Sequence, residues 1–313
     1  MVQVYTEHLC RRHYSPFISD AVLFRIFLLF TNIALSLILP VATGAFWKRV
    51  KFVHEQPLVR YTEDALLLFE GAMPGQERIW SSSQAVNEQF SDFFIPASIQ
   101  AYEEDVNFDG KPDAIRFNAK VQGTSPVFGV KALLQFHYEI SDDVILKFFG
   151  LAYAAHTSAL PGGELYLDGE LELRQLTPIT DKKFNGEFDT PILDSSQSEV
   201  AEAVRGSEVL QFESIVKSYL SRNYSTTFID RYPVWKPGAG NSFMLDWNLR
   251  IPTHQMITVR PQVIEMLKFA WIQFLATFIA IWFFFHWLQI FVFRYRIFDT
   301  RAVSDVQPKT QRF

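Results

Sequence analysis

The chain has 313 residues, a formal charge of −5 and 20% charged residues, which are values of a chain that is mostly a folded aqueous domain. No basic block marks a nucleic-acid partner. The single cysteine, Cys10, excludes an intramolecular disulfide, so a central domain of about 200 residues must be held by its core alone.

Residues 1–20 read as a polar N-terminal tail carrying Arg11 and Arg12. Cys10 lies near the first hydrophobic stretch and is a palmitoylation candidate, with a free thiol as the simpler reading. Residues 21–47, AVLFRIFLLFTNIALSLILPVATGAFW, read as a first transmembrane helix. Arg25 near its start can snorkel to the interface, Asn32 falls mid-span, and Pro40 is placed to kink the far end. A cleaved signal peptide is the competing reading, with Ala42 and Gly44 as small residues at a cleavage site.

Residues 48–262 read mainly as β. Ile115, Phe117, Ala119 and Val121 alternate with polar residues, as do Ala132, Leu134, Phe136, Tyr138 and Ile140, and then Phe243, Leu245, Trp247, Leu249 and Ile251. A period of two marks strands with one buried face. The apolar run 144–155 reads as a central strand. Leu165 and Leu167, then Leu171 and Leu173, flank Asp168-Gly169, which predicts a tight hairpin turn. One helix is expected over 208–222, with Ser207 as N-cap and Val209, Phe212, Val216, Tyr219 and Leu220 on one face. Residues 256–260 read as the last strand, with Pro261 opening the next helix. The expected fold is an antiparallel β-sandwich ectodomain with one helix, flanked by two transmembrane helices.

The second helix, 263–293, contains the strongest signal. Its 25 residues from 269 to 293 are almost unbroken apolar sequence, reaching about 37 Å, more than the ~30 Å hydrocarbon core. Gln273, Thr277, His286 and Gln289 are its clearly polar members. Polar groups in lipid seek partners, and Gln273, the deepest of the expected contacts, is the candidate for packing against another helix. Residues 294–313 form a C-terminal tail with Arg294, Arg296, Arg301, Lys309 and Arg312, whose positive charge places it in the cytosol. The flanks of the first helix conflict, because Lys48, Arg49 and Lys51 follow it. The triplet Asn223-Tyr224-Ser225 fits an N-glycosylation acceptor, which is modified only on the lumenal side. The expectation is therefore cytosolic termini and an extracellular or lumenal central domain glycosylated at Asn223.

The sharpest local motif is Asp105-Val106-Asn107-Phe108-Asp109-Gly110-Lys111-Pro112-Asp113. Oxygen ligands at positions 1, 3, 5 and 9 with glycine at 6 are what a calcium loop needs. Asp105, Asn107, Asp109 and Asp113 would ligate through side chains and Lys111 through its carbonyl. Arg116 at position 12 and the following strand depart from a helical EF-hand. An Asx-rich hairpin that needs no ion is the alternative. Nucleophile elbows, zinc-protease helices, phosphate loops and dinucleotide fingerprints are missing. His54, His137, His156 and His254 are scattered without metal-ligand spacing. The expectation is a protein without enzyme activity.

Several segments together resemble the transmembrane protein 231 family: EQPLVRY (55–61), EEDVNFDGKPDAIRF (103–117), FGVKALLQFHY (128–138), GELYLDGELELRQ (163–175), SRNYSTT (221–227), EMLKFAWIQFLATF (265–278) and QIFVF (289–293). The tails and residues 176–206 match poorly. The resemblance implies a two-pass membrane component of the ciliary transition zone, in the Meckel syndrome or tectonic-like complex that forms a diffusion barrier for ciliary membrane proteins. It implies tectonic proteins, meckelin and other small transmembrane members as partners, and no catalytic residues. A Val306-Gln307-Pro308 triplet in the tail matches a short ciliary targeting pattern of little specificity. The competing functions are an accessory subunit of a lipid flippase or transporter, which usually carries ectodomain disulfides that this chain cannot form, and a two-helix channel subunit, for which the helices are too weakly polar.

Overall fold

The computed structural model describes residues 11–44, 46–142, 144–180, 185–193, 212–238 and 240–304. Cys10, Ser207 to Val209, Lys309, Arg312 and the Val306 to Pro308 triplet lie outside these residues. The chain divides into two units, Val50–Pro261 on one hand and Met1–Arg49 with Gln262–Phe313 on the other.

The second of these units begins with β1 (Arg11–Tyr14), then α1 (Asp20–Ala42). The Val50–Pro261 unit carries β2 (Lys51–Glu55), β3 (Leu58–Glu70), β4 (Arg78–Ser81), α2 (Gln84–Gln89), β5 (Ala97–Glu104), β6 (Ala114–Gln122), β7 (Val127–Ile140) and β8 (Leu146–Gln175). It continues through β9 (Ile179–Thr180), α3 (Phe212–Leu220), β10 (Tyr224–Asp230), β11 (Val234–Pro237), β12 (Ser242–Arg250) and β13 (Gln255–Arg260). The chain then returns to the helical unit through α4 (Val263–Arg294) and β14 (Arg301–Ser304). The protein is mainly β, as the alternation implies.

β8 organises the domain. Its residues 146–157 pair antiparallel with β7, which pairs in turn with β3 and β4. Beyond a bulge its residues 162–175 pair with β10 and β11 on one edge and with β12 on the other, followed by β6 and β5. A strand that bends from one layer into the next is how a sandwich turns a corner. The layers face each other through aromatic contacts, Tyr61 with Phe117 at 6.0 Å and Phe69 with Phe243 at 5.7 Å, while Phe228 of β10 meets Trp247 of β12 at 5.1 Å within one layer. The alternating residues of β6, β7 and β12 named from the sequence are all buried in this core. The sandwich is antiparallel except where β12 runs parallel to β8 and β13 to β9.

The hairpin expected at Asp168-Gly169 does not form. Residues 146–175 run through it as one strand. Gly169 is there because β10 lies against it: a Cβ would stand 2.2 Å from the Ile229 carbonyl and 2.7 Å from the Phe228 ring. Gly162 admits the Trp235 indole in the same way. Close approach of another backbone is the second meaning of glycine in a strand.

The outer face of β7 is buried too. Leu133, Leu66 and Leu151 form a second core with Val86, Phe90, Ile192, Leu193 and three α3 residues, Phe212, Ile215 and Tyr219. The helix face thus uses Ile215, while Leu220, the last helical residue, is exposed. A short second helix, α2, joins this layer. Two buried polar groups fix it. Gln135, fully buried, donates to Asp64 at 2.6 Å and accepts from the Ile192 and Leu193 amides at 2.6 and 2.8 Å. The Tyr219 hydroxyl accepts from the Leu151 and Thr226 amides, at 3.0 and 2.5 Å, tying α3 to both β8 and β10. Burial raises its pKa, so the phenol stays neutral.

A third sheet, β2-β13-β9, pairs the first and last long strands of this unit, with Lys51 opposite Val259. In the other unit α1 and α4 are the two membrane-length helices. Pro40 lies in the last turn of α1 and Gln262 is the N-cap of α4, one residue after Pro261. β1 and β14 pair antiparallel, Arg11 opposite Ser304.

Gly169→Ala is expected to destabilise the full-length protein by about 3 kcal/mol, since neither the Ile229 carbonyl nor the Phe228 ring can move away freely. Gly163→Ala, whose Cβ would meet only the Gly238 Cα at 3.7 Å, is expected to leave stability nearly unchanged. Thermal or denaturant unfolding distinguishes the two.

Candidate functional site

In the helix pair, α1 buries Ala21, Leu28, Asn32, Ser36 and Pro40, intervals of seven and four that keep one face inward. Small residues at such a seam let two backbones approach. Ser36 is fully buried and its hydroxyl donates to the Ile33 carbonyl at 2.8 Å. The Ser36 main-chain carbonyl has no helical donor at position i+4, because that residue is Pro40; it accepts instead from Thr277 Oγ1 of α4 at 3.1 Å. The same hydroxyl is 2.9 Å from the Gln273 carbonyl and 3.0 Å from that of Phe274. One proton thus serves either its own helix or the other. Gln273, singled out from the sequence, is half-buried and takes part in this cluster through its main chain. Of the residues that make the polar seam, Thr277 stands out in the sequence only as one polar member of its span and Ser36 not at all, because small hydroxyls hardly register against an apolar run. Asn32 is 4% exposed, and its Oδ1 has no hydrogen-bond partner among the described residues. Near the other end of the seam Lys48 pairs with Glu265 at 3.6 Å.

In the β-rich unit the acidic loop joins β5 to β6. It brings Asp105, Asn107, Asp109, Lys111 and Asp113 together in one turn. Asp105 accepts from the Phe108 and Gly110 amides at 2.7 and 2.9 Å, Asn107 from Asp109 at 2.9 Å, Asp109 from Lys111 at 2.7 Å and Asp113 from Val106 at 2.9 Å. The Asn107 and Asp109 bonds are Asx turns, and all five bonds close the loop through its own main chain. Gly110 has φ +83°, and Phe108 has φ 58°, a left-handed conformation costly for a side-chain-bearing residue. The Lys111 ammonium donates to the Gln56 carbonyl at 3.0 Å, anchoring the loop to the turn between β2 and β3. Among the described residues no group of three or more His, Cys, Asp or Glu side chains is arranged to hold a metal ion.

Asn223 precedes β10 and is half-buried; its side-chain oxygen accepts from Thr177 Oγ1 at 2.7 Å. Two of the histidines have structural neighbours: His137 faces Asp189 at 3.4 Å, and the His156 ring lies tilted against Trp235, 5.4 Å between centroids. A polar cluster that the sequence reading missed crosses the parallel β8–β12 pair. Asp168 accepts from Arg250 at 2.6 Å, Tyr166 at 3.1 Å and Asn248 at 3.4 Å. Burial alone would raise its pKa, but the Arg250, Tyr166 and Asn248 hydrogen bonds outweigh burial and hold it below the usual carboxylate value. Its contribution to stability is present above the unfolded carboxylate pKa and is lost as pH falls through the folded value.

The family model described as Transmembrane protein 231 matches residues 1–302. Among curated relatives, Transmembrane protein 231 of Xenopus tropicalis is 28% identical, over 96% of this chain and 95% of the relative. The Gallus gallus protein is 28% identical over 84% and 81%, and the Homo sapiens protein 26% identical over 97% and 95%.

Thr277→Val is expected to weaken the association of α1 and α4 by roughly 0.6–2 kcal/mol, the range of interhelical hydrogen bonds in membranes. Asn32→Leu, which removes a buried group lacking a partner, is expected to be neutral or stabilising. Thermal unfolding of the detergent-solubilised full-length protein checks both.

Proposed function

The chain belongs to the transmembrane protein 231 family, and on that premise we propose that it is a structural two-pass membrane component of the ciliary transition zone. The observation that carries this reading is the family match over residues 1–302. Two membrane-length helices with a β-rich body between them support it. In this reading the protein acts as a scaffold and catalyses nothing. The ectodomain docks on partner ectodomains of the tectonic-like complex, with tectonic proteins, meckelin and small transmembrane members as partners. The helices pack with partner helices, and the assembly restricts which membrane proteins enter the cilium. Both termini lie in the cytosol. Two spans put them on the same side, the pairing of β1 with β14 agrees with that, and the arginines after α4 favour the cytosolic side. Asn223 carries a glycan on the lumenal ectodomain.

A tagged full-length copy is expected to concentrate in a narrow band at the ciliary base and to disperse when tectonic partners are removed. Uniform distribution over the plasma membrane overturns the proposal. The same copy is expected to shift in gel mobility on glycosidase treatment, and Asn223→Gln to lose that shift; protease protection placing the central domain in the cytosol overturns the orientation.

In the same reading the Asp105 to Asp113 loop takes calcium at the weak affinities of extracellular modules, about 10⁻⁴–10⁻³ M, stiffening the β5–β6 connection. Millimolar calcium is then expected to raise the thermal midpoint of the full-length protein, and Asp109→Asn to abolish the rise. An unchanged midpoint in the native chain removes calcium from the proposal and leaves the scaffold role intact.

A further inference from the structure

Within the helical unit, a cavity of about 710 Å³ opens where α1 begins and α4 ends, beneath the β1–β14 pair. Its wall carries Arg25, Arg294, Arg296, His13, His286 and Gln289, and neither aspartate nor glutamate lines it. Because α1 and α4 run antiparallel, Arg25 in the second turn of one and Arg294 at the last residue of the other arrive at the same level. The 32 residues of α4 span about 48 Å against a hydrocarbon core of ~30 Å, so this end reaches the headgroup layer. No ion pair of the described residues occupies the three guanidinium groups. By contrast, several ectodomain arginines, such as Arg116, Arg231 and Arg250, each face a carboxylate within 2.8 Å.

The end of α4 supplies an independent observation. The Arg296 amide donates to the Phe293 carbonyl at 3.3 Å and the Ile297 amide to the Val292 carbonyl at 3.2 Å. This is the helix stop that normally places glycine in the left-handed position. Here the position is Arg296, with φ 50°. An arginine held at a site built for glycine costs stability that its own helix does not need to spend. Its guanidinium joins the cavity wall, which gives the strained position a use.

We propose that this cavity is a binding site for the phosphate-bearing headgroup of an anionic membrane lipid. Guanidinium forks match phosphate oxygens bidentately. Basic pockets between membrane helices take polyphosphorylated headgroups in general, and the volume is that of an ordinary ligand pocket. The lipid supplies the negative charge that this wall lacks, and its acyl chains continue along the apolar faces of α1 and α4. The inference rests on the helices spanning a bilayer and is independent of where in the cell that bilayer lies.

The test uses the full-length protein in phosphatidylcholine nanodiscs with and without phosphatidylinositol bisphosphate, with binding read by a fluorescent analogue of that lipid. The native chain is expected to retain the analogue over a phosphatidylcholine analogue. The triple variant Arg25→Gln, Arg294→Gln, Arg296→Gln is expected to lose roughly 100-fold in affinity, three charges near the membrane surface acting together. Arg296→Gly, which relieves the left-handed strain, is expected to be at least as stable as the native chain yet to bind about fivefold more weakly. That combination separates a binding role from a structural one even if the triple variant fails to fold. Equal retention of both analogues by the native chain overturns the proposal, as does undiminished binding either by Arg296→Gly or by a folded triple variant. Soluble inositol bisphosphate binding as tightly as the lipid overturns the lipid as the source and assigns the site to free phosphates.

Discussion

The main-chain hydrogen bonding of β8 is the constraint on which the β-rich unit depends. One strand of 30 residues gives its first half to β7 and its second half to β10, β11 and β12. Both layers of the sandwich are therefore hung on the same backbone, and the core forms between two halves of one strand's neighbours. Four pairings compete for the surface of β8, so the space above it is scarce. Glycine at 162 and 169 gives that space to the Trp235 indole and to the β10 main chain. In the absence of a disulfide, this shared strand and the apolar contacts around Trp247, Phe117 and Phe243 hold the domain. The buried Tyr138 hydroxyl and Trp247 indole nitrogen find no partner among the described residues; their rings contribute apolar surface that outweighs the unpaired polar atom.

The outer layer solves a different problem. β7 is apolar on both faces, so a sandwich alone would leave Leu133 and its neighbours in water. The α3 helix and the segment at Ile192 and Leu193 cover that face; Gln135, buried beneath, holds the segment, and Tyr219 reaches down from α3 to the strands. Gln135 satisfies two amides of the covering segment, and the Tyr219 hydroxyl satisfies one amide each of β8 and β10. Order in this layer thus depends on directional bonds as much as on apolar area.

The membrane unit uses the reverse balance. Lipid gives no hydrophobic reward for bringing α1 and α4 together. What the seam offers is close approach at Ser36 and a hydroxyl of Thr277 shared between its own helix and the next. At one end of the pair Lys48 and Glu265 neutralise each other, whereas Arg25, Arg294 and Arg296 at the other end have no carboxylate partner among the described residues. The asymmetry of charge along the pair is a property of the sequence; the cavity that gathers those charges is not.

Local periodicity determined a good deal. Alternation at 115–121, 132–140 and 243–251 identified strands and their inner faces correctly, because a period of two is imposed by the strand itself. Length and hydropathy identified both membrane helices, since a bilayer demands about 20 apolar residues in a row. Spacing brought the ligand candidates from Asp105 to Asp113 into one loop, because a short turn keeps near neighbours near. What the sequence could not decide was everything set by distant segments. Asp168-Gly169 has the composition of a turn, and only β10, 60 residues away, makes it a strand interior. Ile215 and Gln135 matter because of what covers β7. Thr277 outranks Gln273 because Ser36 lies opposite it. Arg25 and Arg296 stand 271 residues apart and become one site only through antiparallel packing. Short-range sterics and burial are written along the chain, whereas the partner of a buried or charged group is chosen by the tertiary fold.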